Sequence, residues 1–198
     1  MYPIDFTAGE AGPRKRGLGW AGAIFFVKAI LAIPHFLILS ALGNLAFAAA
    51  YIGYFFVAFT GELPSGLRSM MVATMRWEVR TTAWLVALTD EYPPFEWEET
   101  DYPAKLTVAE TTEPSKGWAV AGIFLLKFVA LIPHLIVLMF VFIGAFFAAW
   151  YGFFKIAFTG ESSAAVHDFL TGTTRWGVRI SAWLFGLTDE YPPFQLRS

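Results

Sequence analysis

Residues 28–62 read KAILAIPHFLILSALGNLAFAAAYIGYFFVAFTGE and carry the strongest structural signal of the chain. Between Lys28 and Glu62 there is no Asp, Glu, Lys or Arg, and a second uncharged run lies between Lys127 and Lys155. About 20 apolar helical residues are enough to cross a bilayer, and the cores of soluble proteins rarely need longer runs. Both runs are therefore predicted to be membrane segments.

The composition supports a membrane protein and excludes several function classes. Of 198 residues, 57% are hydrophobic and 15% are charged, whereas about a quarter of an ordinary globular domain is charged. The net charge of −2 provides no basic field, so nucleic acid is not expected as a partner. There is no cysteine, and no phosphate-binding loop or metal-ligand motif is found. We therefore predict no enzyme activity, no metal and no cofactor.

The chain contains two copies of one unit. Residues 28–35, KAILAIPH, return as KFVALIPH at residues 127–134, an offset of 99 residues. The same offset relates FTGE at 59–62 and 158–161, RW at 76–77 and 175–176, AWL at 83–85 and 182–184, and LTDEYPPF at 88–95 and 187–194. We assign the first copy to residues 1–99 and the second copy to residues 100–198.

These motifs, in this order and spacing, resemble the uncharacterised bacterial membrane family known as domain of unknown function 4389. The resemblance covers nearly the whole chain, twice. It implies a membrane protein with this repeat layout, and it implies no established activity. One departure is visible, because His167-Asp168 in the second copy replaces Arg68-Ser69 in the first.

The predicted fold is an all-α membrane protein built from two tandem helical hairpins. Each hairpin, at about 18–60 and about 117–159, is long enough for two spans, which gives four transmembrane helices. Gly43-Asn44 is the expected turn between spans of about 18–40 and 44–60. Breaks at Pro34 and Pro133 are the alternative, with a short, re-entrant first helix.

Each hairpin is followed by a helical segment that is predicted to lie in the membrane interface. These segments, about 65–88 and 164–187, carry arginines that would each cost about 2.5–3.5 kcal/mol at the bilayer centre. A YPPF tail closes each copy. Gly61 and Gly160 are expected to cap the preceding helices. A small cytoplasmic sheet is predicted from Tyr2–Phe6 and Lys105–Val108.

The lysine and arginine distribution predicts the orientation. With hairpins, the clusters before, between and after the two uncharged runs lie on one side, which the positive-inside rule makes cytoplasmic. We therefore expect a multi-pass protein of the bacterial inner membrane with both termini in the cytoplasm.

The intramembrane polar residues are the first candidate sites. Lys28 and Lys127 are expected to snorkel to anionic headgroups or, alternatively, to line a substrate or ion route. His35 and His134 either satisfy a carbonyl that proline leaves free or, as a repeat-related pair, ligate haem or a metal. His167 is expected at the surface.

The interfacial segments provide the second set of candidates, which are expected to contact anionic phospholipid or a protein partner. These residues are Arg76, Arg80, Arg175, Arg179, Trp77, Trp84, Trp176 and Trp183. The alternative for the arginines is internal pairing with Glu78, Asp90 or Glu91, or with Asp189 and Glu190. Asp90-Glu91 and Asp189-Glu190 are otherwise expected to orient the turns that contain them.

The predicted function is that of a non-catalytic inner-membrane protein, an accessory or scaffold subunit of a larger complex with lipid contacts. A self-contained homo-oligomer suits the same features. The first alternative is a small transporter or channel that uses Lys28 and Lys127. The second is a haem-carrying electron-transfer subunit that uses His35 and His134.

Overall fold

The computed structural model describes residues 2–24, 27–109 and 113–197. Residues 25–26 of the predicted first span and residues 110–112 of the predicted second extended segment lie outside the described residues. The elements in chain order are β1 (Ile4–Thr7), α1 (Arg16–Ala23), α2 (Val27–Leu31), α3 (Ile33–Thr60), α4 (Ser65–Leu85), β2 (Lys105–Val108), α5 (Lys116–Ile123), α6 (Leu126–Thr159) and α7 (Ala164–Leu184).

Each copy contributes one long apolar helix, α3 of 28 residues and α6 of 34 residues. Within the described residues, these two helices are long and apolar enough to cross a membrane. Of the most apolar 18 residues of each, 22% and 17% are buried. Neither helix is therefore the enclosed core helix of a soluble protein.

The predicted turn at Gly43-Asn44 is wrong, because α3 is helical through both residues. The Asn44 side-chain amide donates to the carbonyl oxygen of Ser40 at 2.6 Å, so it bonds within the helix instead of ending it. One interior glycine costs a helix about 1 kcal/mol, which is too little to break a long apolar ladder. Among the described residues, two helices instead of the predicted four are long and apolar enough to cross a membrane.

The chain breaks earlier than predicted, at the start of each copy. In the first copy, Ala32 separates α2 from α3, and Pro34 lies in the first turn of α3, where its missing N–H is tolerated. In the second copy, the break lies between α5 and α6, where Leu125 has a φ of 58°. The alternative prediction placed the helix breaks at Pro34 and Pro133. The first copy does break near Pro34, whereas α6 continues through Pro133.

The predicted interfacial helices exist as α4 and α7, but they are central rather than peripheral. Each follows a long helix after a short loop and returns antiparallel along it. His35 meets Trp77, and further along Lys28 meets the carbonyl oxygen of Trp84. Trp84 and Trp183 are 2% and 0% exposed. Because about half of the residues of α4 and α7 are buried, these helices form part of the protein core and do not lie on its outside.

The two copies interlock reciprocally. Helix α1 of the first copy packs on α6 of the second, and α5 of the second packs on α3 of the first. The strands do the same, since β1 packs on α7 and β2 packs on α4. Each copy therefore completes the core of the other.

The predicted sheet is confirmed. Strands β1 and β2 pair antiparallel, with Ile4 opposite Val108 and Thr7 opposite Lys105. Alternate side chains of the sheet, including those of Ile4 and Phe6, are fully buried. The sheet thus joins the N-terminal strand of one copy to that of the other.

The two predicted glycine caps are also confirmed. Gly61 ends α3 with a φ of 85°, and Gly160 ends α6 with a φ of 79°. This left-handed conformation is one that only glycine adopts without steric cost.

Glycine also permits the close contact between α1 and α6. A Cβ atom added to Gly19 would lie 2.6 Å from the backbone nitrogen of Ala157, so no side-chain rotation can relieve the clash. In contrast, a Cβ atom on Gly17 of the same helix meets nothing within 4 Å.

We therefore expect Gly19→Ala to lower the free energy of unfolding by about 1–3 kcal/mol, the usual cost of overpacking. Gly17→Ala is the matched control and should leave stability unchanged or slightly raised. Thermal unfolding in a mild detergent, followed by circular dichroism, measures both. If both variants unfold at the temperature of the unmodified protein, α1 does not pack on α6 as described.

Candidate functional site

The repeated motif residues converge into one cluster in each copy, which we call the Lys–His cluster. In the first copy it comprises Lys28, His35, Trp77, Trp84, Tyr92 and Phe95. In the second copy it comprises Lys127, His134, Trp176, Trp183, Tyr191 and Phe194. The 99-residue repeat in sequence is thus also a repeat of side-chain contacts.

The two lysines are buried and hydrogen-bonded to helix ends. Lys28 and Lys127 are 2% and 1% exposed. Lys28 donates to the carbonyl oxygen of Trp84, and Lys127 donates to that of Trp183 at 2.8 Å. Both tryptophans lie in the last turn of their helix, where positive charge is favoured. The same two carbonyl oxygens also accept backbone N–H groups, from Ala87 and Gly186. The predicted snorkelling is therefore wrong.

Each ammonium group also lies between aromatic rings of both copies. The Lys28 nitrogen is 4.7 Å from the ring centre of Trp84 and 5.3 Å from that of Phe153. The Lys127 nitrogen is 4.8 Å from the ring centres of Trp183 and Tyr54. Such cation–π contacts contribute about 2 kcal/mol when they are desolvated. The lysines therefore connect the two copies.

Tyr54 and Phe153 are repeat-equivalent residues that the motif analysis missed. Their rings approach because the facing residues, Gly122 and Gly22, have no Cβ atom, which would lie within 2.5 Å of the ring. The hydroxyl group of Tyr54 donates to the carbonyl oxygen of Leu184, a bond that Phe153 cannot make. The sequence signal was a glycine at matching places in two short apolar helices.

The histidines are enclosed by aromatic side chains of their own copy. The Nδ1 atom of His35 accepts from the Trp77 indole at 2.9 Å, and that of His134 accepts from Trp176 at 3.1 Å. A nitrogen that accepts carries no proton, so each ring is assigned as the neutral Nε2–H tautomer. Phe95 stacks on His35 with ring centres 4.0 Å apart. The contacts of His134 are equivalent.

Haem or metal ligation would use the remaining Nε2 atoms. Both are buried and have no hydrogen-bond partner among the described residues. Within the same residues, no group of three or more His, Asp or Glu side chains is placed to hold a metal ion. The ring contacts of each histidine are with Trp, Tyr and Phe of its own copy, so no shared ligand site is formed by these contacts.

The YPPF tails fold back over the histidines. The Tyr92 hydroxyl donates to the carbonyl oxygen of Leu31 at 2.8 Å, and that of Tyr191 donates to Ala130 at 2.6 Å. Both carbonyls lie three residues before the proline of their copy, on the turn that leads into it. The tails thus close the start of each long helix.

The arginines are paired inside the protein, but with partners other than those predicted. Arg80, 3% exposed, donates to the carbonyl oxygen of Glu98 at 3.1 Å and to the Thr100 hydroxyl at 2.9 Å. Arg76 forms an ion pair with Glu99 at 2.9 Å. Arg80 is therefore closed to lipid headgroups, and the linker between the copies is held along α4.

The second copy uses its arginines in the same way, on the other copy's strand. Arg175 pairs with Asp5 at 2.7 Å. Arg179, 1% exposed, donates to the carbonyl oxygens of Ile4 and Arg197, both at 3.1 Å. The N-terminal strand and the C-terminal tail are thus held on one side of α7.

The predicted tryptophan contacts with lipid or a partner do not fit the burial of these side chains. Trp77, Trp84, Trp176 and Trp183 are all buried. Their rings contact the cluster lysines and histidines instead.

The acidic pairs and His167 complete the comparison with the predicted sites. Asp90 accepts from the backbone N–H of Lys15 at 2.6 Å, and Asp189 does so from Ser115, so each aspartate binds the residue just before α1 or α5 instead of the turn that contains it. His167 is 6% exposed, so its predicted surface position is wrong. Burial and the nearby Arg14 lower the pKa of His167.

The clusters leave little space for a ligand. The cavity beside Lys127 and Tyr54 has a volume of about 10 Å³, close to the minimum for a single water molecule. The arrangement therefore stabilises helix ends and joins copies, and it presents no open substrate site at the lysine.

If the lysines hold the helix ends, Lys28→Met and Lys127→Met should each lower the free energy of unfolding. Each change removes a hydrogen bond from a charged donor, and such a bond contributes about 1.5–3 kcal/mol. Lys105→Met is the matched control, because the Lys105 side chain is 57% exposed and should leave stability unchanged. Denaturant titration in detergent measures all three, and equal effects at Lys28 and Lys105 would refute the role.

Comparison with known proteins identifies the family. The sequence profile described as "Domain of unknown function (DUF4389)" matches the chain twice, at residues 23–96 and 123–195. No curated protein and no solved structure matches the chain. The two matched segments cover most of the chain, so the protein belongs to this family as two tandem copies.

Proposed function

We propose that this DUF4389-family protein is a non-catalytic protein of the bacterial inner membrane that serves as a scaffold or accessory subunit. One observation carries the proposal. The repeated polar residues of each copy, including Lys28, His35 and Arg80, bind other parts of the same chain. Polar residues that bind the same chain stabilise its fold. A stable fold with an apolar exterior suits a structural role in a membrane.

The apolar exterior supports placement in lipid. Side chains such as Leu37, Phe59 and Phe140 are 69%, 80% and 63% exposed. Water-soluble monomers rarely expose contiguous apolar patches of more than a few hundred Å². Contact with lipid would remove this apolar surface from water, so protein partners would not have to cover all of it.

The position of the termini supports the proposed orientation. Ile4 near the N-terminus and Arg197 near the C-terminus are both bound by Arg179. Both ends of the chain therefore lie at one side of the protein. We propose that this side is cytoplasmic, as the distribution of lysine and arginine favours.

Anionic phospholipid remains a proposed ligand, at basic residues other than the buried arginines. Lys15, Arg16 and Lys116 are exposed at the starts of α1 and α5. Cations at a membrane surface gain about 1 kcal/mol each from anionic lipids.

We expect the triple variant Lys15→Gln, Arg16→Gln, Lys116→Gln to retain less anionic phospholipid after purification. The control is Lys105→Gln with Arg68→Gln, which removes two cations elsewhere. Mass spectrometry of the bound lipid gives the ratio of anionic to zwitterionic species. An unchanged ratio in the triple variant would show that these residues do not select lipid.

The proposed role as an accessory subunit is tested by extraction from native membranes in a mild detergent. We expect another protein to co-purify at a fixed ratio, and Trp97→Ser to reduce its recovery. Trp97 is 37% exposed on the linker between the copies and has no repeat counterpart. The control is Phe59→Ser, a change on the lipid-facing side. Recovery of the chain alone in several detergents would contradict an accessory role.

The transporter alternative makes a different prediction for the lysines. If Lys28 and Lys127 lined a transport route, the double Met variant would lose flux in proteoliposomes while remaining folded. The enclosed lysine nitrogens favour the scaffold.

A further inference from the structure

The apolar exterior is concentrated on α1–α3, α5 and α6. Among the described residues, the exposed large hydrophobic side chains lie within 20–59 and 120–158. The exceptions are Tyr92, Phe95, Trp97, Tyr191 and Phe194. Between Lys28 and Glu62 and between Lys127 and Lys155 there is no charged residue. This face fits hydrocarbon along its whole length.

A polar shell runs beside the same helices. We define the polar shell as β1, β2, the linker at 96–101 and the tail at 195–197. On α4, Arg68 donates to the carbonyl oxygen of Val108 at 3.4 Å, and Arg80 donates to that of Glu98 at 3.1 Å. These arginines are twelve residues apart, so the shell follows α4 for about 18 Å.

The direction of α3 relative to this shell is fixed by its packing on α4. Gly53 lies against Leu63, just before α4, whereas His35 meets Trp77 far along it. Helix α3 therefore runs antiparallel beside α4, and the polar shell lies along α3 rather than at one end of it. The contacts of Arg175 and Arg179 with Asp5 place β1 of the shell against α7.

This arrangement is incompatible with α3 and α6 standing along the membrane normal. The shell carries exposed charges, since the side chains of Glu99 and Lys105 are 65% and 57% exposed. With α3 upright, part of the shell would lie within the hydrocarbon, where charged side chains are strongly disfavoured.

The lengths of the helices point the same way. At 1.5 Å per residue, α3 is about 42 Å long and α6 about 51 Å, against a hydrocarbon core of about 30 Å. To lie wholly within the core while crossing it, they would have to tilt by about 45° and 54°, beyond the usual range of up to about 40°; with less tilt, their ends would extend into the headgroup region. One leaflet offers about 15 Å of hydrocarbon, enough for a helix about 10 Å wide that lies flat.

We infer that the protein is monotopic: α3 and α6 lie in the plane of the membrane within one leaflet, and the polar shell faces water on that same side. This inference rests on the proposed membrane location and specifies how the protein occupies the bilayer. The partner of the apolar face is therefore the acyl chains of a single leaflet. Both termini lie on the side of the polar shell.

The positions of the exposed cations fit this placement. Arg16 and Lys116 begin α1 and α5, beside the C-terminal ends of α6 and α3. When the long helices lie flat, these residues are at the edge of the apolar face, at the depth of the headgroups.

Spin-label depth measurements distinguish flat from crossing helices. The chain has no cysteine, so single cysteines place labels without other changes. Four exposed positions along one face of α3 are suitable: Leu37, Leu45, Ile52 and Phe59. The first and last positions are 22 residues apart, about 33 Å along the helix, which exceeds the thickness of the hydrocarbon core. Asp101→Cys, on the polar shell, is the aqueous control.

Each variant is reconstituted into vesicles of phosphatidylethanolamine and phosphatidylglycerol, and its folding is checked by circular dichroism. The ratio of oxygen to nickel-chelate collision rates reports depth. We expect high ratios that are equal within about twofold at all four sites, and a low ratio at residue 101. A ratio that peaks at residues 45 and 52 and falls towards residues 37 and 59 would show a crossing helix and overturn the inference.

Two other outcomes are separable from these. Labels shielded from both oxygen and chelate would show that a second copy covers the face, which also overturns the inference. If all four sites were as accessible to chelate as residue 101, the protein would not lie in lipid. That result would refute the proposed membrane function itself, and not only the orientation.

Discussion

The rest of the structure depends on a buried ammonium group that binds the last turn of a helix under an aromatic ring from the opposite copy. Lys28 donates to Trp84 of its own copy beneath Phe153, and Lys127 repeats the arrangement with Trp183 and Tyr54. An isolated cation in an apolar interior is unfavourable. Here the helix end and one ring of the same copy stabilise the cation, and a ring of the other copy completes its surroundings.

The same constraint explains why two copies occur in one chain. A single copy would expose its lysine, which is buried here. It would also expose the side of its long helix that the other copy covers. In the described structure, that side is covered by the short helix of the other copy, with Gly19 against Ala157 and Gly122 against Tyr54. The strands β1 and β2 reinforce the exchange, because each lies on the core helix of the other copy. The repeat is therefore seen in the sequence, but neither copy has a separate hydrophobic core. Each half of the core takes helices and strands from both copies.

The features that could be predicted from sequence depend on local chemistry or on the repeat itself. Gly61 and Gly160 were predicted as caps because glycine adopts positive φ freely. The pairing of β1 with β2 followed from alternation in two short segments. The repeat offset identified most of the residues that form the Lys–His clusters. The burial of the cluster lysines was not predictable from the sequence. Hydropathy suggests that a lysine lies near the membrane interface, and it does not show that the C-terminal end of another helix lies next to that lysine.

The errors have a common physical origin in packing between distant segments. The turn at Gly43-Asn44 was inferred from span length, but α3 gains more from an unbroken ladder along α4. Arg80 and Arg179 were expected to contact lipid because they lie on segments that were predicted to be interfacial helices. Their donors are instead taken by backbone carbonyls of the linker, the tail and β1, such as those of Glu98 and Ile4. The repeat spacing alone does not show whether the residues that contact a given side chain belong to its own copy or to the other copy.

The most direct test of the interlocked core is a double-mutant cycle between Lys28 and Phe153, two side chains from different copies. The free energy of unfolding would be measured in detergent for Lys28→Met, Phe153→Leu and the double variant. We expect a coupling energy of about 0.5–2 kcal/mol, the range for a cation over an aromatic face. Additive effects within about 0.3 kcal/mol, as found for independent sites, would contradict the contact that joins the two copies.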